Sequence, residues 1–289
     1  MLLPGNHDPV RVGSVYHREH AFRGALPAWV HVVDAPKFEL PLGEHAVVLA
    51  NPCTTEAGAE DLALALPARA PGDTRLRIGL VHGSTFDLEG HQTNFPIAAD
   101  APVQRGLDYL AIGDTHGYRV LPREDAVAPI VYPGAPEPTR LGEQGAGGVV
   151  IVHLERPGVR PQLVWERVGE WTFRDEIIEN VTSLRVLARE LTSKTVLQLR
   201  LALTVSPADA REVERLLVTL SGDRARRGKA GAVLVDRTAY RVRAEAPENL
   251  LSGAPDAVQY VAQALMREGS DEASRALRLL ADLYAEVSS

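Results

Sequence analysis

Six short runs rich in Val, Ile and Leu, each closed by Gly, Pro, Asp, Asn or a similar turn former, leave few options for the first half of this chain. They are Val30 to Val33, Ala46 to Ala50, Leu76 to His82, Tyr109 to Gly113, Ile130 to Tyr132 and Gly148 to Leu154. Runs this short, apolar nearly throughout, are the pattern of strands buried on both faces. Helical patterns between them are sparse and are expected only at Ala57 to Leu66 and Ala98 to Leu107. The texture changes after about Val168. Helical periodicity covers Ser183 to Leu191, Pro207 to Leu220, Ala254 to Glu268 and Asp271 to Glu286, while Val196 to Thr204 and Ala232 to Ala244 alternate like half-buried strands. Ser206 is placed to cap the Pro207 helix, with Pro207 in its first turn and Asp209 near its positive end. The expected organisation is two domains, residues 1–168 and 169–289, the second a smaller α+β module.

Composition narrows the class. The chain has 289 residues, 45% of them hydrophobic and 24% charged, as in ordinary globular proteins rather than disordered ones. No stretch approaches the roughly 18 to 20 apolar residues that span a bilayer. The start of the chain lacks a basic and then apolar leader pattern, so no membrane association and a cytoplasmic location are expected. Cys53 is the single cysteine, which excludes an internal disulfide and a thiolate metal site, and it reads as a small packing residue. A net charge of −7 argues against coating nucleic acid by bulk attraction. One basic run, Arg224, Arg226, Arg227 and Lys229, could touch a nucleic-acid backbone or be solvated surface.

Three segments carry ligand-type residues. Pro4-Gly5-Asn6-His7-Asp8 offers an amide oxygen beside an imidazole, with Asp8 able to orient that imidazole. Ile78-Gly79-Leu80-Val81-His82-Gly83-Ser84 is an apolar strand that ends on a histidine. Gly113-Asp114-Thr115-His116-Gly117 closes another, and in extended geometry Asp114 and His116 share a face. Taken singly, the first reads equally as a polar turn and the second as a buried core histidine. Together the Asn, Asp and His set suits divalent ions such as manganese, iron(II) or zinc. The glycine-rich Gly142 to Gly148 opens a strand rather than a helix and reads as a turn, not a phosphate cradle.

In order and in strand context these three segments resemble the later motifs of the calcineurin-like metallophosphoesterase superfamily. Asp108-Tyr109-Leu110-Ala111-Ile112-Gly113 and Tyr132-Pro133-Gly134-Ala135-Pro136-Glu137-Pro138 are most similar to its DNA-repair exonuclease branch, the SbcD-like nuclease subunits. The resemblance implies an α/β (α+β) fold, a four-layer sandwich of two mixed β-sheets flanked by helices with a C-terminal capping domain. It implies that Asn6, His82 and Asp114 ligate one divalent ion and His116 a second. His7 would act on the phosphoryl group, as catalytic residue, without binding metal. The implied chemistry is phosphodiester hydrolysis by a hydroxide activated between two ions, Mn2+ first, with Mg2+, Fe2+ or Zn2+ as alternatives. DNA is the implied substrate, and a coiled-coil ATPase and a second copy of the chain are the implied partners. Two alternatives stay open: a small-molecule or nucleotide phosphoesterase, and a non-catalytic homologue. The chain departs from the family in two ways. Asp114 stands where many members have histidine, which favours manganese or magnesium. The family's opening Asp-x-His and Gly-Asp motifs, which precede the Asn-His-Asp segment, are expected to lie upstream of Met1, so an incomplete two-metal site is expected.

Overall fold

A computed structural model describes residues 1–85, 93–121, 127–222, 228–243 and 247–288. The chain divides into two compact units, Met1–Phe173 and Arg174–Ser289. The fold is mixed α/β, with several sheets and helices, consistent with the expected α+β sandwich class.

The first unit is organised by a six-stranded sheet. Its spatial order is Phe38–Leu42, Ala46–Ala50, Leu76–His82, Tyr109–Gly113, Ile130–Tyr132 and Arg119–Leu121. The four inner strands pair in parallel and both outer pairs are antiparallel. Parallel strands covered on both faces need apolar side chains on both, and the inner runs supply them. Val47, Leu49, Val81, Leu110, Ile112, Ile130 and Tyr132 lie in one buried cluster. Phe38–Leu42 contains Pro41, which has no N–H to donate, and it is accordingly an edge strand. Gly148–His153 pairs with Gln162–Arg167 in a separate antiparallel ribbon.

Two expectations for this unit fail for local reasons. Ala57 to Leu66 forms turns rather than a helix. The Asp61 carboxylate accepts from the N–H groups of Ala63 (2.8 Å), Leu64 (2.9 Å) and Ala98 (2.8 Å), giving them partners without a helical ladder. In place of the Val30 to Val33 strand there is a single parallel bridge between Leu2 and Val32, because the Val30 N–H is turned back onto the Pro27 carbonyl. The second expected helix shrinks to Ala101–Arg105, bounded by Pro102 at its start and by left-handed Gly106 at its end.

The second unit is built on a three-stranded sheet ordered Thr172–Ile178, Thr195–Leu201 and Ala232–Asp236, the last two parallel. Helices Val181–Glu190 and Pro207–Ser221 pack on it through Leu184, Leu187, Val213 and Leu217, against Leu197, Leu199 and Leu201. Ser206 caps the longer helix as expected, accepting from the Asp209 N–H. A helical hairpin, Asp256–Glu268 and Asp271–Ser288, closes around Leu251, Ala262, Leu277 and Ala281. Of the basic run, Arg224, Arg226 and Arg227 lie outside the described residues. Lys229 is not a free surface charge: its ammonium donates to the carbonyls of Ala188 (3.0 Å) and Arg189 (3.2 Å), at the negative end of the Val181–Glu190 helix. Among the described residues no helix is long and apolar enough to cross a membrane.

Candidate metal centre

Parallel strands bring their carboxyl ends together on one edge of a sheet, where ligands collect in open α/β folds. Here the register pairs His82 with Gly113, so His82 and the following Asp114 emerge side by side. The first segment of the chain crosses this edge. Asn6 Oδ1 lies 2.8 Å from His82 Nε2, and Asp114 Oδ1 lies 3.7 Å from the same nitrogen. The structure thus brings together three residues that are 76 and 32 positions apart along the chain.

Two glycines allow this approach. A Cβ on Gly5 would stand 2.8 Å from the His82 ring, and one on Gly113 would stand 2.9 Å from its Nδ1, both closer than side chains tolerate. Asp114 itself leaves the extended conformation, with φ +145°. A non-glycine residue held there carries backbone strain, which surrounding bonds must offset. One such bond comes from the buried Ser84, whose hydroxyl donates to Asp114 Oδ2 (2.7 Å). Ser84 is in turn held by the buried Tyr132, which accepts from the Thr85 N–H (2.9 Å) and donates to the Gly83 carbonyl (3.0 Å).

The strain at Asp114 also overturns one expectation. Because the chain is not extended beyond Gly113, Asp114 and His116 do not share a strand face. His116 is half exposed and its Nδ1 is taken up by Glu143 Oε1 (2.6 Å) and by the Thr139 hydroxyl (3.0 Å). Asp8 does not orient His7 either. Its carboxylate accepts from the Gly5 N–H (2.8 Å), closing the turn that presents Asn6, and it bonds the phenol of Tyr16. His7 is exposed and lines a cleft of about 570 Å³ with Asp8, Pro9, Arg11 and Val12 to Val15.

The electrostatics suit a cation. Burial pushes His82 below the usual imidazole range, with Asp114 and Asp8 opposing, so a neutral ring with a lone pair is favoured. Cys53 lies fully buried beneath the same residues. Burial, then the charges of Asp8 and Asp114, push its thiol up to about 12, so it stays protonated and acts as core. Glu143 is held down at about 2: burial alone would raise it, but the Thr139 N–H, His116 and the Thr139 hydroxyl outweigh that.

The donor set fits a divalent ion in part. Ligands around an octahedral ion with bonds of about 2.1 Å stand roughly 3 Å apart, close to the Asn6–His82 separation. Among the described residues no group of three His, Cys, Asp or Glu gathers around one point; this centre has two of them and an amide oxygen. Sequence reasoning missed Ser84 and Glu143. Ser84 has a signal, since it stands two residues after His82; Glu143 has only its place in a glycine-rich turn.

No family model matches the chain. Over 107 residues it is 34% identical to the uncharacterized metallophosphoesterase YhaO of Bacillus subtilis (strain 168). That similarity supports the metallophosphoesterase superfamily. The matched stretch is 35% of this chain and 26% of that relative, so the chain spans about a quarter of the relative's length.

Proposed function

We propose that this chain contributes the divalent-metal centre of a phosphoesterase that hydrolyses phosphodiesters. The observation that carries the reading is the convergence of Asn6, His82 and Asp114 on the carboxyl edge of a parallel sheet, in a chain similar to a metallophosphoesterase. Asn6 and Asp114 would offer oxygens and His82 a neutral nitrogen to an ion of the manganese or magnesium type. When bound, that ion would supply the positive charge that phosphoryl oxygens seek. Ser84 keeps the Asp114 carboxylate in place. His7, exposed on the adjoining cleft, is positioned to hold a proton near the leaving oxygen of a bound ester. His116, on its own support, is the residue reserved for a second ion.

DNA as substrate, a coiled-coil ATPase and a second copy of the chain belong to the same proposal, and rest on the likeness to the exonuclease branch. The segments that carry this likeness have architectural tasks. Asp108 accepts from Arg69, from the Arg77 N–H and from the Gly158 N–H, while the Glu137 carboxylate accepts from the N–H groups of Glu170 (2.9 Å) and Trp171 (3.1 Å).

Calorimetric titration with manganese chloride tests the centre. Saturable binding is expected, abolished by His82→Ala and kept in His7→Ala. A chain that takes up no manganese, or takes it up equally well without His82, would overturn the reading. For the substrate class, bis(p-nitrophenyl) phosphate should be cleaved faster than the monoester in the presence of manganese.

A further inference from the structure

We infer that Glu143 is a positioning residue that sets the tautomer and orientation of His116, so that the lone pair is left on Nε2, the atom the proposed second ion would take. The inference rests on the metal-centre reading above, and it concerns a residue that has no ligand role of its own.

The geometry is that of a braced carboxylate facing an open ring. Glu143 has a side chain only 4% exposed, whereas that of His116 is 47% exposed. Its Oε2 accepts from the Thr139 N–H (2.8 Å), and its Oε1 accepts from the Thr139 hydroxyl (2.9 Å) and faces Arg140 Nε at 3.3 Å. Those bonds leave the carboxylate one pose, with Oε1 at 2.6 Å from His116 Nδ1. An ionised carboxylate can only accept hydrogen bonds. The nitrogen that meets it must therefore carry the proton, and the lone pair is left on Nε2. A histidine that binds metal through one nitrogen characteristically gives its other N–H to such a partner, and losing that partner typically costs 10- to 100-fold in affinity.

A purely structural role for the carboxylate is disfavoured, because the main chain around His116 is pinned without it. The Ala135 N–H donates to the His116 carbonyl (2.9 Å), and the Tyr118 N–H donates to the Gly145 carbonyl (3.0 Å). Glu143 thus holds a side chain whose backbone is already placed. The alternative, that His116 is simply half of a surface ion pair, does not need the two Thr139 bonds that aim the carboxylate.

Histidine nitrogen NMR on the metal-free protein, with His116 assigned by its absence in His116→Ala, reads the tautomer directly. The Nδ1–H form is expected in the wild type, and a mixture of both forms in Glu143→Gln, whose amide can accept or donate. Manganese binding at the second position, the one assigned to His116, should weaken about 10- to 100-fold in Glu143→Gln, with binding at the Asn6, His82 and Asp114 centre unchanged. In a His116→Ala background the same change should add nothing, because the effect passes through His116. If Glu143→Gln fails to fold, Thr139→Val, which removes only the hydroxyl, should move the tautomer in the same direction by less. An unchanged tautomer, or a further loss of affinity in the His116→Ala background, would overturn the inference. Should the wild-type chain bind no manganese, the function proposed above falls, while the tautomer measurement still decides the role of Glu143.

Discussion

Strands Leu76–His82 and Tyr109–Gly113 begin beside Asp73 and Asp108 and end at His82 and Asp114. At the amino end every acceptor shown is met by a donor of the chain itself. Asp108 takes Arg69 Nη2 (2.7 Å) and the N–H groups of Arg77 (2.8 Å) and Gly158 (3.0 Å), and Asp73 takes the guanidiniums of Arg75 and Arg77. At the carboxyl end, about 20 Å away along seven extended residues, His82 Nε2 is hydrogen-bonded to Asn6 Oδ1, Asp114 Oδ1 stands 3.7 Å from the same nitrogen, and among the described residues Ser84 donates to Asp114. The same residue types are closed by arginine partners at one edge and form the cluster proposed above as a cation site at the other. What separates them is how completely their partners are built in. Size of cavity is a poor guide here: a cleft of about 980 Å³ lies at the amino edge, between Asp73, Pro102, Leu107 and Pro157, where Asp73 and Asp108 are already paired with arginines.

The comparison breaks most visibly if its satisfied end is opened. Asp108→Ala leaves a mostly buried Arg69 and two main-chain N–H groups without their acceptor, and should cost about 3–5 kcal/mol. Trp29, Trp165 and Trp171 all belong to Met1–Phe173, so fluorescence-detected urea unfolding reports on that unit. A loss under about 1 kcal/mol would contradict the assignment.

Gly113→Ala should be next, at about 1–3 kcal/mol, since its Cβ would press on Nδ1 of the partly buried His82, whose ring is also held against Gly5. Thermal melting measures the stability loss, and manganese titration should show weaker binding in the same variant.

Asp114→Asn should hardly move stability, by under about 1 kcal/mol, because an amide oxygen can still accept from Ser84. Manganese affinity should nevertheless fall roughly tenfold or more with the charge removed. The converse result, a large loss of stability with unchanged binding, would make the carboxyl edge a structural network like the amino edge.

The smallest effect is on the acid limb of the stability profile. Bonds from the Arg75 side chain and N–H, with Arg77 adding to them, hold Asp73 below its ordinary range against the opposing effect of burial. A carboxylate depressed in the folded state stabilises it above the unfolded value near 3.9, and that contribution fades as the pH falls below it. Asp73→Asn should therefore flatten the decline in stability below about pH 4 and leave the neutral region comparatively level.

Five of the six apolar runs in the first half became strands close to their expected limits, because runs rich in Val, Ile and Leu favour strands and can be read residue by residue; four of them lie inside the six-stranded sheet, whereas Gly148–His153 forms a ribbon with Val149 and Ile151 exposed. The sixth, Val30 to Val33, and the Ala57 to Leu66 helix were lost to single bonds that a pattern does not encode: the Val30 N–H on the Pro27 carbonyl and the Asp61 carboxylate on three N–H groups. Among the ligand candidates, Asn6, His82 and Asp114 were legible because each ends an apolar run or sits in a glycine turn. His116 was placed on the face of Asp114, and the positive φ of Asp114 took it elsewhere. Lys229 was legible as a charge but not as a cap, since its acceptors lie 41 and 40 residues away.

Strand, turn and ligand identities are local properties, set by side-chain size, branching and chemistry, and they can be read along the chain. Satisfaction is not local. Whether Asp108 or Asp114 has its donors, which nitrogen of His116 is engaged, and why Gly5 and Gly113 admit no side chain all depend on groups tens of residues apart that meet only when the sheet forms. The tertiary structure alone decides that one edge is closed by its own arginines and the other gathers acceptors around His82, because hydrogen-bond partners are assigned by distance in space and not by distance in sequence.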